Sequence, residues 1–179
     1  MSWTIEPLPT SGPLFKGAIR VYGEAFARAP YHDSDRGKEV RERMEKQHNL
    51  YPGFQAFCAV HSTGRVVGMI YGYSARRGQW WHEAVSAAFS PGQRLEWLQS
   101  SYELCELAVA PAYQSFGIGR ALIARLLEGR SEATCVLTTR VDSRADELYE
   151  RLGFETVHRM RFFENGYEFF VMGKRLVHP

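Results

Sequence analysis

The chain is poor in cysteine: Cys58, Cys105 and Cys135 are the three among 179 residues. An odd number without close spacing excludes a disulfide framework and a zinc-finger ligand set, and no metal site is expected. Each cysteine sits in an apolar, strand-like run, so all three read as small buried hydrophobes of a reducing compartment, and the chain by default as cytoplasmic. Long apolar runs are missing as well. No stretch approaches the roughly 20 residues that span a bilayer, so no membrane partner is expected. The N-terminal stretch carries Pro7, Pro9 and Pro13 and lacks the apolar core of a signal peptide. A dominant charge is absent too, with 22 basic residues against 20 acidic and a net charge of +2. Without a broad basic field, nucleic acid is not an expected partner, although local clusters can still hold a polyanionic cofactor.

What is present is an ordinary apolar fraction, 45%, in a length that suits one domain over residues 1–179. Trp3 to Leu8 alternates as a first strand. Leu14 to Arg28 places Phe15, Ile19, Tyr22 and Phe26 near helical spacing. Arg36 to Leu50 reads as a second helix with a narrow stripe of Val40, Met44 and Gln47 or His48. Its dense charges read as a solvated face. Phe54 to His61 and Arg65 to Ser74 form a hairpin signal, and Gly68 and Gly72 inside the second strand suggest a bulge or a close backbone approach. An aromatic, helix-like insert runs from Ala75 to Gln99 and is interrupted at Pro91-Gly92. Then come a strand (101–110), a helix (117–128), a strand (133–141), a helix (142–152) and two strands (156–164, 167–176) around Asn165-Gly166, a strong hairpin signal. The alternating second half predicts an α/β fold: a mixed, twisted sheet of about seven strands with helices on both faces and one parallel pair.

The most informative stretch runs from Glu106 to Leu122. A strand stops at Pro111, a short loop follows, and a helix opens at Gly117 to Gly119. The first N–H groups of a helix have no internal partner, and the helix dipole adds positive potential there, so this is a phosphate cradle. Two familiar cradles fail. No Lys follows the glycines as a P-loop needs, and the dinucleotide pattern needs glycine where Leu122 stands.

Gln114-Ser115-Phe116-Gly117-Ile118-Gly119 does fit Q/R-x-x-G-x-G/A and resembles the acyl-CoA loop of the GNAT superfamily of N-acetyltransferases. Downstream, Asp142 to Phe154 is similar to that family's N-x-x-A-x-x-L-Y-x-x-x-G-F block, one strand later. The two blocks cover about a third of the chain. Asp142 departs from the usual Asn: it suits a helix cap, and it would place a negative charge near the cofactor arm.

The resemblance implies acetyl-CoA as cosubstrate and a splay of the fourth and fifth strands into which the pantetheine arm inserts, held by unpaired backbone groups of Leu107 and Val109, with Ala108 between them also at the cofactor. The Val109 N–H would also polarise the thioester carbonyl. Backbone N–H groups of Ser115, Phe116, Gly117, Ile118, Gly119 and Arg120 would hold the pyrophosphate, with Gln114, Asp142, Ala145 and Tyr149 also along the cofactor. It also implies that Tyr149 is the general acid for the departing thiolate. Glu103, Glu106, water or another residue takes the amine's proton; Glu103 shares strand parity with Val109, and a bulge would exchange the two faces. Tyr31, His32, Trp80 and Trp81, with Trp97, either shape the acceptor pocket or pack a satellite core. A covalent cysteine intermediate is set aside because no cysteine lies at the strand exit beside a histidine.

The expected reaction is acetyl transfer to a small-molecule amine by a monomer or homodimer. The alternatives are an acetyltransferase for protein N-termini or lysines and a non-enzymatic acyl-CoA sensor.

Overall fold

The computed structural model describes residues 2–177. The elements run β1 (Trp3–Pro7), α1 (Gly12–Phe26), α2 (Arg36–Lys46), β2 (Gln55–His61), β3 (Val66–Ala75), α3 (Trp80–Ala88) and α4 (Pro91–Trp97), then β4 (Ser101–Val109), α5 (Ile118–Leu127), β5 (Thr134–Arg140), α6 (Asp146–Arg151), β6 (Glu155–Arg161) and β7 (Glu168–Arg175). The strands follow the sheet order β1-β2-β3-β4-β5-β7-β6. β4 and β5 are parallel, whereas β1–β2, β2–β3, β5–β7 and β6–β7 are antiparallel. The mixed seven-stranded sheet with a parallel pair is therefore as expected. Among the described residues no helix is long and apolar enough to cross a membrane.

The chain divides into two compact units. The first comprises residues 2–73 and 105–128. Phe15, Ile19 and Tyr22 of α1 and Val40 and Met44 of α2 bury one face of β2 and β3 with Cys58, Met69 and Tyr71. α5 takes the opposite face. A Cβ on Gly68 would lie 2.9 Å from Ile118 Cγ2 and 3.1 Å from Leu122 Cδ1, so the missing side chain lets α5 approach. The ladder also shifts there, from Ala59↔Gly68 to Val60↔Val66, which leaves Val67 as the extra residue of a bulge.

The second unit comprises residues 74–104 and 129–177. Trp81 and Val85 of α3, Phe89 at its C-cap and Trp97 of α4 pack on Val136 and Val171. Gly173 on β7 faces Trp97 so closely that a Cβ would overlap the indole. The next residue, Lys174, reaches the other face and donates to the Leu152 carbonyl after α6 at 2.7 Å. Helices thus flank both faces here as well. Within the insert, Ser90 opens α4 with a capping box, so the interruption at Pro91 is a helix start.

Three expectations need correction. The helix expected over 36–50 ends at Lys46, and His48–Leu50 form a single 3-10 turn. The helix expected from Asp142 begins only at Asp146, and Asp142 is not its cap. Arg140 takes both Asp142 oxygens, at 2.9 and 2.6 Å, and this two-pronged ion pair outcompetes capping. Ser143 Oγ instead donates to the Arg140 carbonyl and accepts from the Ala145 N–H. Finally, the last hairpin is wider than Asn165-Gly166 suggests. β6 stops at Arg161, β7 resumes at Glu168, and neither Asn165 nor Gly166 has a positive φ. Gly166 N–H closes a turn on the Phe163 carbonyl at 2.9 Å, while Phe162 and Phe163 pack beside Trp80.

Candidate active site

In the first unit β4 ends where the Ala110 N–H donates to the Val67 carbonyl of β3 at 2.9 Å. Backbone groups along a strand alternate between its edges, so Leu107 and Val109 direct theirs to the edge away from β3. The Ala108 side chain is buried in the core under α1 and α2. The Gln114 amide donates to the Val109 carbonyl at 3.1 Å, so the glutamine of the loop motif braces the strand exit.

Beyond a single 3-10 turn at Pro111–Tyr113, Ser115 (φ 66°) and Gly117 (φ 80°) both adopt left-handed conformations. Such a run gathers successive N–H groups around one concavity. Among the described residues, the N–H groups of Ser115, Phe116 and Gly117 have no protein acceptor. The first bond of α5 runs from the Ala121 N–H to the Gly117 carbonyl at 3.0 Å. Ile118, Gly119 and Arg120 therefore have no acceptor within the helix for their N–H groups. Ser115, Phe116, Gly117 and Arg120 are exposed, while buried Ile118 anchors the turn. A Cβ on Gly117 would meet nothing within 4 Å, so glycine is needed there for its dihedral and the backbone lies open. Open N–H groups at a positive helix end suit the pyrophosphate of a coenzyme A thioester.

Three residues before Val109, Glu106 anchors a buried polar cluster. The Tyr22 hydroxyl donates to Glu106 Oε2 at 2.6 Å, Arg43 Nη2 donates to Oε1 at 3.2 Å, and Arg36 Nε donates to the Tyr22 oxygen at 3.2 Å. Burial, then Glu106, pushes the Tyr22 hydroxyl well above its ordinary range, so it stays a donor. Burial alone would lower the two guanidiniums, but the Glu106 carboxylate leads the charges that raise both. Arg36 and Arg43 stand seven residues apart, on one face of α2 with Val40 and Met44. The charge run is thus not wholly a solvated face: two of its cations turn inward.

The neighbouring residue, Cys105, reaches the same side. Its Sγ lies 3.4 Å from Tyr71 Oη, 3.7 Å from Tyr73 Oη and 3.8 Å from His48 Nδ1, and His48 Nδ1 is 2.9 Å from Tyr71 Oη. Two consecutive side chains on one side break strict alternation, so parity counted along β4 does not carry across 105–106. Cys105 stands in the middle of β4, not at its exit, and His48 reaches it from 57 residues away. Burial and then Arg43 lower its imidazole to about 4. A neutral ring supplies no cation to hold a thiolate. Burial pushes the other two thiols up, Cys58 to about 11 and Cys135 to about 12.

Of the acceptor candidates in this unit, Tyr31 packs on Phe26 at 4.4 Å, and the Arg36 guanidinium lies 4.8 Å from the same ring. The loop between α1 and α2 is thereby tied to the Glu106 cluster. His32 is exposed, with φ 50°. Tyr22, Arg36, Arg43, His48 and Tyr71 were not singled out from the sequence as site residues. The seven-residue spacing of Arg36 and Arg43 along the apolar stripe was the one local signal for any of them.

In the second unit Glu103 is buried on β4, opposite Val136 in the parallel register. Tyr149 is buried on α6, with its ring edge-on to Phe154 at 5.6 Å. Ala145 is the N-cap of α6, and the Asp142 carboxylate is paired with Arg140. Trp81 donates to Thr138 Oγ1 at 3.2 Å and, with Trp97, belongs to the core of this unit, whereas Trp80 is 60% exposed against Phe162.

Residues 20–176 match the family described as acetyltransferase (GNAT) domain. The chain is 37% identical to the GCN5-like protein acetyltransferase Rv2170 of Mycobacterium tuberculosis, over 89% of this chain and 90% of that one. Two crystal structures share the fold. One, described as histone acetyltransferase HPA2 and related acetyltransferase from Corynebacterium glutamicum, has a TM-score of 0.68 at 23% identity, covering 100% and 99% of the two chains. The other is the PaiA N-acetyltransferase of Thermoplasma acidophilum in complex with coenzyme A, with a TM-score of 0.63 at 16% identity over 98% and 100%. With the open cradle after β4 and a family match over most of its length, the chain belongs to the GNAT acetyltransferases and is an acetyl-CoA-dependent N-acetyltransferase.

Proposed function

We propose that residues 1–179 act as one catalytic domain that passes the acetyl group directly from acetyl-CoA to the primary amine of a small molecule. The observation that carries this reading is the cradle: positive φ at Ser115 and Gly117 and open N–H groups at the start of α5. Ser115 to Arg120 hold the pyrophosphate. The edge of β4 at Leu107 and Val109 holds the pantetheine arm by strand-like hydrogen bonds, and the Val109 N–H donates to the thioester oxygen as charge develops on it. Asp142 and Ala145 flank the cofactor arm. The amine nitrogen attacks the carbonyl carbon, the C–S bond breaks, and the Tyr149 hydroxyl gives its proton to the departing thiolate. The ammonium proton goes to Glu103 or Glu106, directly or through water. Exposed Trp80 and the loop residues Tyr31 and His32 border the acceptor.

A protein acceptor is the second reading. The M. tuberculosis relative is named a protein acetyltransferase, which favours a lysine or N-terminal amine.

The test is thermal stability with acetyl-CoA, beside ATP and NAD. Acetyl-CoA at 100 times its dissociation constant is expected to add about 2.7 kcal/mol, and the controls nothing comparable. No shift at millimolar acetyl-CoA would sink the assignment of the cradle. With an accepting amine in hand, Tyr149→Phe is expected to lower kcat by about 10²-fold without loss of acetyl-CoA binding. An unchanged kcat would remove Tyr149 as the acid. Glu103→Gln and Glu106→Gln then decide the base, since only the true proton acceptor's variant loses the acid limb of the pH–rate profile.

A further inference from the structure

The polar cluster around Glu106 has more positive than negative charge, and its cations are only partly used. Arg43 bonds Glu106 through Nη2 alone, and its buried Nε has no partner. Arg36 bonds the Tyr22 oxygen through Nε alone. Among the described residues, no other carboxylate bonds either guanidinium. One carboxylate therefore faces two guanidiniums, and the adjoining His48, with its neutral ring, adds no charge. The Arg43 side chain keeps 40% of its surface exposed, against 10% for Glu106, and Arg36 is half-buried. The carboxylate is thus the sealed end of the cluster and the guanidiniums are its open end. Arg36 also shares the Phe26 ring with Tyr31, on the loop assigned above to the acceptor.

We infer that Arg36 and Arg43 form an anion subsite of the acceptor site, so that the amine this enzyme acetylates carries a carboxylate. The inference rests on the acetyl-transfer reading above. Planar guanidiniums with unused N–H groups match a carboxylate with two parallel bonds. Glu106 and Tyr22 hold the pair in place, and Glu106 leaves about one net positive charge for the ligand. That charge works in two ways. It repels polycationic amines. It also disfavours the protonated form of an amine bound nearby, so the nucleophile is more readily neutral when it attacks.

The experiment measures initial rates at saturating acetyl-CoA with matched amines. Free amino acids and short peptides ending in Asp or Glu are compared with their amides, and spermidine serves as a polycation. Carboxylate-bearing acceptors are expected to exceed their amides in kcat/KM by roughly tenfold or more, the scale of one charged hydrogen-bond pair. Free amino acids outpacing the acidic peptides would place the carboxylate beside the amine, and the reverse would place it on a neighbouring residue. In Arg43→Gln the carboxylate-to-amide ratio is expected to collapse towards one. In Arg36→Gln, which leaves the Arg43–Glu106 pair intact, it is expected to fall part of the way. Arg43→Lys is expected to recover the ratio in part. Amides or spermidine used as well as the carboxylates, or a ratio unmoved in both glutamine variants, would overturn the subsite while the acetyl-CoA stability shift still stood. Absence of that shift would instead take away the reading beneath it.

Discussion

At pH 7 the His48 imidazole is neutral, because burial and then Arg43 lower it to about 4. In the unfolded chain it titrates near 6.5, so between these values the unfolded state binds the extra proton. Its contribution is fully present above pH 6.5 and is lost as the pH falls through 4, on the order of 3 kcal/mol at most. Urea midpoints at pH 7.0 and 4.5 check this: His48→Gln is expected to lose less stability on acidification than the unaltered chain, and an equal loss would mean that His48 charges freely. The same residue marks what was legible at this scale. The cradle at Gln114 to Gly119 is local and its motif stands in the sequence. The Tyr22–Glu106, Arg43–Glu106 and Cys105–His48 contacts join residues 84, 63 and 57 positions apart. No spacing rule reaches that far, so the two glutamates were visible as carboxylates but not as partners of anything.

Among the elements, α5 matters most, because its first turn carries the open N–H groups proposed to hold the pyrophosphate. Its position depends on Gly68, which removes a side chain where Ile118 and Leu122 come against β3. Gly68→Ala is expected to cost about 1–3 kcal/mol by overpacking and to weaken acetyl-CoA binding as Ile118 shifts. Urea titration and a thermal-shift isotherm measure the two effects, and an alanine variant of normal stability and affinity would show that α5 has room to spare. Periodicity located nearly all elements, including the break in the insert at Pro91. It failed at α6 and at the β6–β7 turn, where side chains override propensity: Arg140 captures the would-be cap Asp142, and Phe162 and Phe163 stay beside Trp80 where a two-residue turn would have ended the loop.

For the whole chain, acetyl-CoA is both substrate and stabiliser, since a ligand that binds only the folded state raises global stability. The near balance of charge means that no long-range field selects the acceptor, so selection falls to local groups such as Arg36 and Arg43. The amino-acid sequence by itself determined the order of strands and helices, the parallel β4–β5 pair and the glycine turn that opens α5, because hydrophobic period and helix-end chemistry act over a few residues. Only the tertiary structure decided that Glu106 is held by Tyr22 and Arg43, that His48 is kept neutral beside Cys105, and that two arginines of a charged helix turn inward. Those outcomes depend on which distant side chains are buried together. Burial and the charge of the neighbours, not residue type, set the state of a titratable group.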